Sequence, residues 1–258
     1  MIQQPISALG RQVILWVEGL GRIASFGAEV VMAGVSNPRP RRFLDEVYAI
    51  GVLSLSVITV SGLAVGMVLG LIGYTTLERF GAEQNLGAVV ALTLIKELGP
   101  VLTALLVSGR AGSAVAGEIG SMVATEQIDG LRMMALDPID FVISPKLFSF
   151  VVVMPLLSAL FIAFGLGGGY LAGVRILGVD AGSYVAGIET SITFSHEVLM
   201  TLLKALVFGA LVGLIATYRG YHAAPNVVGV SRATTAAVVA ASVSVLIADY
   251  FVTALWEV

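Results

Sequence analysis

The sequence predicts an all-α integral membrane protein: an amphipathic helix at the N-terminus, then five transmembrane helices, with a polar helix between the second and the third. Composition is the first reason. Of the 258 residues, 57% are hydrophobic and only 12% are charged, whereas a soluble domain carries about 25% charged residues. The second reason is that apolar stretches long enough to cross a bilayer recur five times. The third is a stretch rich in charge, residues 109–138, between two of them.

The first segment, residues 6–35, predicts an amphipathic helix lying in the plane of the membrane surface. Polar residues from Ser7 to Glu29 follow one another at spacings of three, four or seven, and apolar residues fill the other side. This pattern is typical of an interfacial helix, although a soluble helix packed on another domain is an alternative. Residues 37–42 (NPRPRR) then end the helix with a basic turn. The chain is accordingly divided into two parts, residues 1–42 and a five-span domain of residues 43–258.

The five spans are predicted from apolar stretches of at least the ~20 residues that a crossing helix needs. They cover residues 47–73, 86–108, 147–174, 198–218 and 233–256. Residues 74–85 and 175–197 are predicted to be short polar connections, and residues 109–146 a long loop. That loop begins with the charged stretch, which we expect to be one helix ending at Asp137-Pro138.

The distribution of lysine and arginine predicts the orientation of the spans. Two basic residues fall on one side, Arg79 and Arg175. Ten fall on the side of the N-terminus: Arg11, Arg22, Arg39, Arg41, Arg42, Arg110, Arg132, Lys146, Arg219 and Arg232. We therefore expect the N-terminus and the 109–146 loop to be cytoplasmic and the C-terminus to face outward.

Several kinds of chemistry are excluded by missing motifs. The chain has no cysteine, no His-Glu-x-x-His pair and no Gly-Lys-Ser/Thr sequence of the kind that a phosphate-binding loop requires. ATP would therefore have to be bound and hydrolysed by a separate subunit, and no metal site is expected. The two histidines, His196 and His222, are interpreted as solvated loop residues.

Lys96 and Glu97 lie in the middle of the second span, close to Pro100. A charge at this depth costs about 2.5–3.5 kcal/mol on insertion scales, so it normally faces a partner or a cavity. Two alternatives stay open: a structural ion pair with another span or a second copy, or a polar spot in an apolar cavity. The other intramembrane charges, Lys204 and Asp249, are too few for the relay of an ion pump.

The first span carries a stripe of small residues and, beyond it, an apolar surface. The stripe consists of Gly62, Gly66 and Gly70. Such spacing favours close helix packing, with a dimer seam or a ligand groove as the alternative. The apolar surface near the outer leaflet comprises Leu69, Ile72, Leu77 and Phe80. Together with Lys96 and Glu97 it would suit a lipid.

The charged stretch between spans two and three is interpreted as a docking surface. A solvated face is the alternative, but adaptable methionines accompany the charges, and the loop is longer than the 2–8 residues that usually join two helices. The candidate docking residues are Glu126, Gln127, Ile128, Arg132, Met133, Met134, Leu136 and Asp137.

Three strings carry a resemblance to a known family. They are LIKELGPVLTALLVSGRAGSA, the following GEIGSMVATEQIDGLRMMALDPIDFVISPK, and GVSRATTAAVV near the C-terminus. Over roughly residues 40–255 the chain resembles the MlaE/YrbE family, the permease subunits of ABC transporters that move phospholipids between bacterial membranes. The resemblance implies a homodimer in the bacterial inner membrane that maintains outer-membrane lipid asymmetry.

The resemblance also implies partners and roles. Residues 126–138 would be the coupling helix that docks on a cytoplasmic ABC ATPase subunit, which would bind ATP and Mg²⁺. The lipid pocket would lie around the outer ends of spans one and two, at the dimer seam. A periplasmic MCE-domain hexamer and a STAS-domain accessory protein would complete the assembly. An ion-coupled secondary transporter and an intramembrane enzyme with Glu97 as acid or base are the competing classes.

Overall fold

The computed structural model describes residues 3–192 and 197–257, and helices account for nearly all of them. The α-helices are α1 Gln3–Ser36, α2 Pro40–Ile50, α3 Leu55–Glu78, α4 Leu86–Thr93, α5 Gly99–Val107, α6 Ser113–Ala124, α7 Gln127–Met133, α8 Ser144–Tyr170, α9 Ala181–Ser191, α10 Leu199–Tyr221 and α11 Val227–Glu257. Short 3₁₀ or π-helical turns join several of them: Val52–Ser54, Glu83–Asn85, Leu94–Leu98, Ser108–Gly112, Ile139–Ile143 and Leu171–Ile176.

Five continuous helical segments in the described part of the chain are long and apolar enough to cross a membrane, which confirms the predicted number. Their bounds are Pro40–Glu78, Glu83–Ala124, Ile139–Ile176, Leu199–Tyr221 and Val227–Trp256, and we number them spans one to five. Span two has 42 residues, or about 60 Å at 1.5 Å per residue, twice the thickness of a hydrocarbon core. The helix that forms span two continues beyond residue 108, the predicted end of the span, through small residues to Ala124.

The charged stretch is not one helix, as the sequence suggested, but two. Glu126 has a φ of 59°, in the left-handed region, and it separates α6 from the seven-residue α7. Ala135 also has a positive φ, 57°, and its position after α7 lets the Leu136 N–H donate to the Leu131 carbonyl at 3.0 Å. This is the hydrogen-bonding pattern that closes a helix at a left-handed residue, so α7 ends before Asp137-Pro138.

Helix α8 lies at the centre of the bundle, with α3 on one side and α10 on another. Glycines allow both approaches. A Cβ atom at Gly66 would overlap the carbonyl of Gly165 in α8, and one at Gly209 in α10 would lie 2.7 Å from the carbonyl of Phe150. The two faces of α8 therefore pack backbone against backbone, as small residues permit in membrane helices.

Helix α1 ends where the sequence predicted, just before the NPRPRR turn, and Pro40 begins α2. Within its described side chains, Glu18 and Arg22 are exposed, whereas Phe26 and Val30 are buried. Phe26 packs edge-on against Tyr218 of span four, with ring centroids 5.4 Å apart. The C-terminal half of α1 thus covers the end of the bundle; its placement in the membrane surface stays a prediction.

The segment between spans three and four contains a helix, α9, that the sequence reading missed. Asp180 caps it by accepting a hydrogen bond from the Ser183 N–H at 2.7 Å. Tyr184 is buried, and its hydroxyl donates to the Leu166 carbonyl at 3.2 Å. Burial raises the pKa of Tyr184 to about 12, so the hydroxyl remains a donor. The interpretation of residues 175–197 as a plain polar connection is therefore wrong. His196 lies outside the described residues.

Candidate functional site

A buried lysine in span four lies between two carboxylates of other spans. Lys204 has no exposed surface, and its Nζ lies 3.0 Å from Glu97 Oε2 in span two and 2.9 Å from Asp249 Oδ1 in span five. The same ammonium donates to the backbone carbonyl of Lys96 at 2.8 Å. The Glu97 carboxylate and the Lys96 carbonyl thus accept hydrogen bonds from an ammonium that has three protons to donate, and Asp249 is its second ion-pair partner. We call Glu97, Lys204 and Asp249 the ion cluster.

The backbone of span two provides an acceptor for the cluster because of Pro100. Proline has no N–H, so it cannot donate to the carbonyl four residues earlier, that of Lys96. In the π-helical turn that precedes the proline, the Gly99 N–H donates to the carbonyl of Leu94 rather than to that of Ile95. Both neighbouring carbonyls bind span four: the Ile95 carbonyl accepts from Thr201 Oγ1 at 2.7 Å, and the Lys96 carbonyl accepts from Lys204.

Lys96 and Glu97 do not pair with each other. The Lys96 Nζ lies 3.2 Å from Glu197 Oε1 at the beginning of span four, while Glu97 also accepts from Thr253 Oγ1 of span five at 3.4 Å. Each of the two residues thus forms an ion pair with a residue outside span two, Lys96 with Glu197 and Glu97 with Lys204. This is the first of the two alternatives that the sequence left open. The side chain of Glu97 is nevertheless 42% exposed, so one edge of its carboxylate remains open at the surface of the single chain.

The predicted apolar surface lies at the C-terminal end of α3 and just after it. Phe80 and Ile72 are exposed, at 80% and 57%, while Leu69 and Leu77 are half-buried against the core. The hydrogen bonds and ion pairs of Glu97 are directed to spans four and five. The apolar residues of the predicted lipid site thus lie on α3 and just after it, whereas Glu97 is bound to spans four and five.

The glycine stripe of span one is occupied within the chain. Gly62, Gly66 and Gly70 are buried, and a Cβ atom on any of them would meet the backbone of α8. The glycine stripe therefore serves the close packing of α3 against α8 within one chain. A dimer seam would need another surface, such as the exposed Val60, Val68 and Leu71 on the same span.

Helix α7 presents a mixed surface at the end of span two. Ile128 is buried and anchors the helix, whereas Met133 and Met134 are 85% and 64% exposed. Arg132 donates to Asp129 at 3.0 Å and to the Tyr221 hydroxyl, at the end of span four, at 2.7 Å. The contact with Tyr221 raises the pKa of Arg132 further, which keeps the guanidinium charged.

The other predicted docking residues surround this helix. Glu126 and Gln127 are exposed, and the Gln127 amide donates to Thr125 Oγ1 at 3.0 Å. Leu136 is half-buried. Asp137 is exposed and accepts from the Ile139 N–H at 2.9 Å, so it also caps the helical segment that leads into span three.

Sequence reasoning missed some members of these sites. Asp249, Lys204 and Thr253 were not predicted as site residues, although an acid and a base within apolar spans were a signal that could have found two of them. The Arg132 contact with Tyr221 joins residues 89 positions apart and left no sequence signal. His222, interpreted as a solvated loop residue, is exposed, but its ring stacks on Tyr218 with centroids 4.3 Å apart.

Five apolar helices, a charged cluster between them and an exposed polar helix at one end define a multi-pass membrane protein. Comparison with known families identifies its kind. Residues 43–255 match the family model described as Permease MlaE. The chain belongs to the MlaE permease family.

Individual relatives cover nearly the whole chain. The chain is 47% identical over 99% of its length to the intermembrane phospholipid transport system permease protein MlaE of Haemophilus influenzae, and the match spans 98% of that protein. It is 34% identical to a probable ABC transporter permease protein of Rickettsia bellii, with 99% of each chain covered. It is 30% identical to the chloroplastic protein TRIGALACTOSYLDIACYLGLYCEROL 1 of Arabidopsis thaliana, over 81% of this chain and 60% of that protein.

Proposed function

We propose that the chain is the permease subunit of an ATP-driven transporter that moves phospholipids between the inner and outer membranes of a bacterium and so maintains outer-membrane lipid asymmetry. The observation that carries the proposal is the 47% identity, over 99% of the chain, to a permease named for intermembrane phospholipid transport. The Rickettsia relative is named as an ABC transporter permease, which favours ATP-driven transport over an ion-coupled secondary transporter.

The energy for transport comes from a separate ATPase subunit in this proposal, because the sequence has no phosphate-binding loop. Helix α7 is the docking element. Its exposed methionines supply an adaptable apolar surface, and its charged residues surround that surface. The excess of basic residues on the same side of the spans supports a cytoplasmic position for α7 and the N-terminus, with the C-terminus in the periplasm.

Movement of α7 would reach the ion cluster by two routes. Through Thr125 and Glu126 the helix continues into span two, which carries Glu97. Through Arg132 it binds Tyr221, the last residue of the helix that carries Lys204. A displacement of the docking helix would therefore act on two of the three spans that hold the cluster. This arrangement suits the transmission of ATP-driven closure to the lipid site.

A second copy of the chain and the lipid would cover the surfaces that the single chain leaves open. Of the 18 most apolar consecutive residues in each span, only 22% are buried in span one and 11% in span five, whereas 56% are buried in span four. Ile72 and Phe80 lie on the exposed part of span one. We place the lipid's hydrocarbon chains there and its polar headgroup towards Glu97 and Lys96. A periplasmic MCE-domain hexamer and a cytoplasmic STAS-domain protein complete the proposed assembly.

The docking proposal is tested by replacing Met133 and Met134 with glutamate. Both side chains are exposed, so the change should leave the fold intact while placing two charges in the interface. We expect the ATPase subunit to be lost when the permease is purified from cells in mild detergent. Ile176→Glu, an equally exposed apolar position at the opposite end of span three, is the matched control. The docking role would be refuted if the ATPase co-purified equally with the unaltered permease, the double methionine variant and the Ile176→Glu control.

A further inference from the structure

A groove lies between the end of α1 and the beginning of α8, on the side of the spans where basic residues concentrate. Its volume is about 370 Å³, and its walls are mainly hydrocarbon: Gly34, Val35, Pro38, Phe43, Phe148 and Val152 line most of it. This volume is at the lower end of the range for small-molecule pockets. It suits a single hydrocarbon chain whose polar end remains outside.

The rim of the groove is positively charged. Arg39 lines it and binds Asp140 through Nη2 at 2.8 Å, but the Arg39 Nε is buried and has no hydrogen-bond partner in the described structure. The next two residues, Arg41 and Arg42, are exposed. The Arg42 guanidinium lies 3.4 Å from the centre of the Phe141 ring, and its Nη1 donates to the Phe141 carbonyl at 3.2 Å. These contacts are with a ring and a carbonyl rather than with a carboxylate.

Nearby carboxylates do not neutralise this rim. Asp140 is already paired with Arg39, and Glu46 accepts from the buried Lys146 at 2.6 Å. Asp45 is exposed and is the remaining acid in the first turns of α2. Moreover, α2 begins at Pro40 without a side-chain cap, and the free N–H groups of a helix N-terminus favour an anion.

We propose that this groove binds an anionic phospholipid of the adjacent leaflet, with one acyl chain between α1 and α8 and the phosphate at Arg39, Arg41 and Arg42. Basic clusters next to a membrane span attract anionic lipids in this way. The lipid would fasten the surface helix α1 to span three. This site is distinct from the proposed cargo site at Phe80, and it requires only that the chain lie in a membrane, so it does not depend on the transport function.

The test measures lipid binding to the whole purified permease by native mass spectrometry in mild detergent, with dioleoylphosphatidylglycerol and dioleoylphosphatidylcholine as probes. We expect tighter binding of phosphatidylglycerol. The double variant Arg41→Gln with Arg42→Gln should weaken it roughly 30-fold, from the usual contribution of a basic residue near an anionic membrane surface. Arg175→Gln, at the opposite end of span three, is the matched control and should bind as the unaltered protein does.

A second variant tests the groove itself. Val152 is 46% exposed, so Val152→Trp should fill the groove without disturbing the core, and it should abolish the phosphatidylglycerol preference. Val239→Trp, at an exposed position of span five, should retain it. Equal binding of the two lipids, or a preference that survives both groove variants, would overturn the proposal. Loss of a co-purifying membrane protein in Val152→Trp, with lipid binding unchanged, would show that a partner helix occupies the groove and would equally overturn it.

Discussion

Removal of Lys204 should strongly destabilise the permease. Lys204→Met takes away an ammonium that is fully buried and has acceptors at 3.0, 2.9 and 2.8 Å. It leaves the carboxylates of Glu97 and Asp249 facing each other without a cation. Breaking a buried ion pair in this way costs about 3–5 kcal/mol. We expect the lower value, about 3 kcal/mol, because the Glu97 side chain is 42% exposed and keeps some contact with its surroundings.

Thermal unfolding of the purified protein in detergent provides the assay. At about 2–4 °C per kcal/mol for a chain of this size, the midpoint should fall by roughly 6–12 °C. Lys96→Met is the matched control, because Lys96 is 36% exposed and has one ion pair, to Glu197 at 3.2 Å. The Lys96 side chain is partly exposed, although Glu197 is buried. We therefore expect Lys96→Met to lower the midpoint by less than Lys204→Met does.

A neutral version of the whole cluster distinguishes a lost ion pair from a lost side chain. Glu97→Gln and Asp249→Asn added to Lys204→Met remove every charge, and replacing a complete buried network is often close to neutral. The triple variant should therefore recover most of the lost stability. A triple variant no more stable than Lys204→Met, or a Lys204→Met protein as stable as the unaltered one, would refute the electrostatic explanation.

Three further variants test packing, coupling and cargo. Gly66→Ala should cost about 1–3 kcal/mol, because its Cβ would overlap a carbonyl of span three, whereas Gly19→Ala has open space around it; equal unfolding midpoints would contradict the packing. Tyr221→Phe removes the hydroxyl that Arg132 binds, so lipid transport in reconstituted vesicles should slow while the ATPase stays bound; an unchanged rate would exclude this coupling route. Phe80→Gln changes an 80% exposed side chain and should lower the phospholipid recovered with the purified complex several-fold; unchanged recovery would place the cargo elsewhere.

Local patterns in the sequence predicted the elements of this fold well where hydropathy changes abruptly. The basic, proline-rich turn at residues 37–42 separates α1 from α2 as expected. Prediction failed where hydropathy changes gradually. The charged stretch forms two helices, α6 and α7, instead of the one predicted, and α9 was missed although Asp180 is a good helix cap.

For the candidate sites, too, local sequence patterns predicted some residues and missed others. The exposed methionines of α7 were predicted from composition, as was the apolar end of span one. The partners of Glu97 were not, because Lys204 is 107 residues away in the sequence. Helical periodicity could show that Lys96 and Glu97 point in different directions, yet it could not show which span each one faces.

The sequence alone determined that this protein is a helical membrane protein with five spans, a polar segment between the second and the third, and no phosphate-binding loop. Composition, hydropathy and short motifs are properties of the chain itself. Only the tertiary structure decided that Lys204 joins three spans, that the glycine stripe packs within one chain, and that Arg132 connects the docking helix to span four. These outcomes depend on how the helices pack and rotate against one another. The packing and rotation of each helix depend on complementary shape and charge over the whole bundle. They therefore cannot be predicted from any single stretch of sequence.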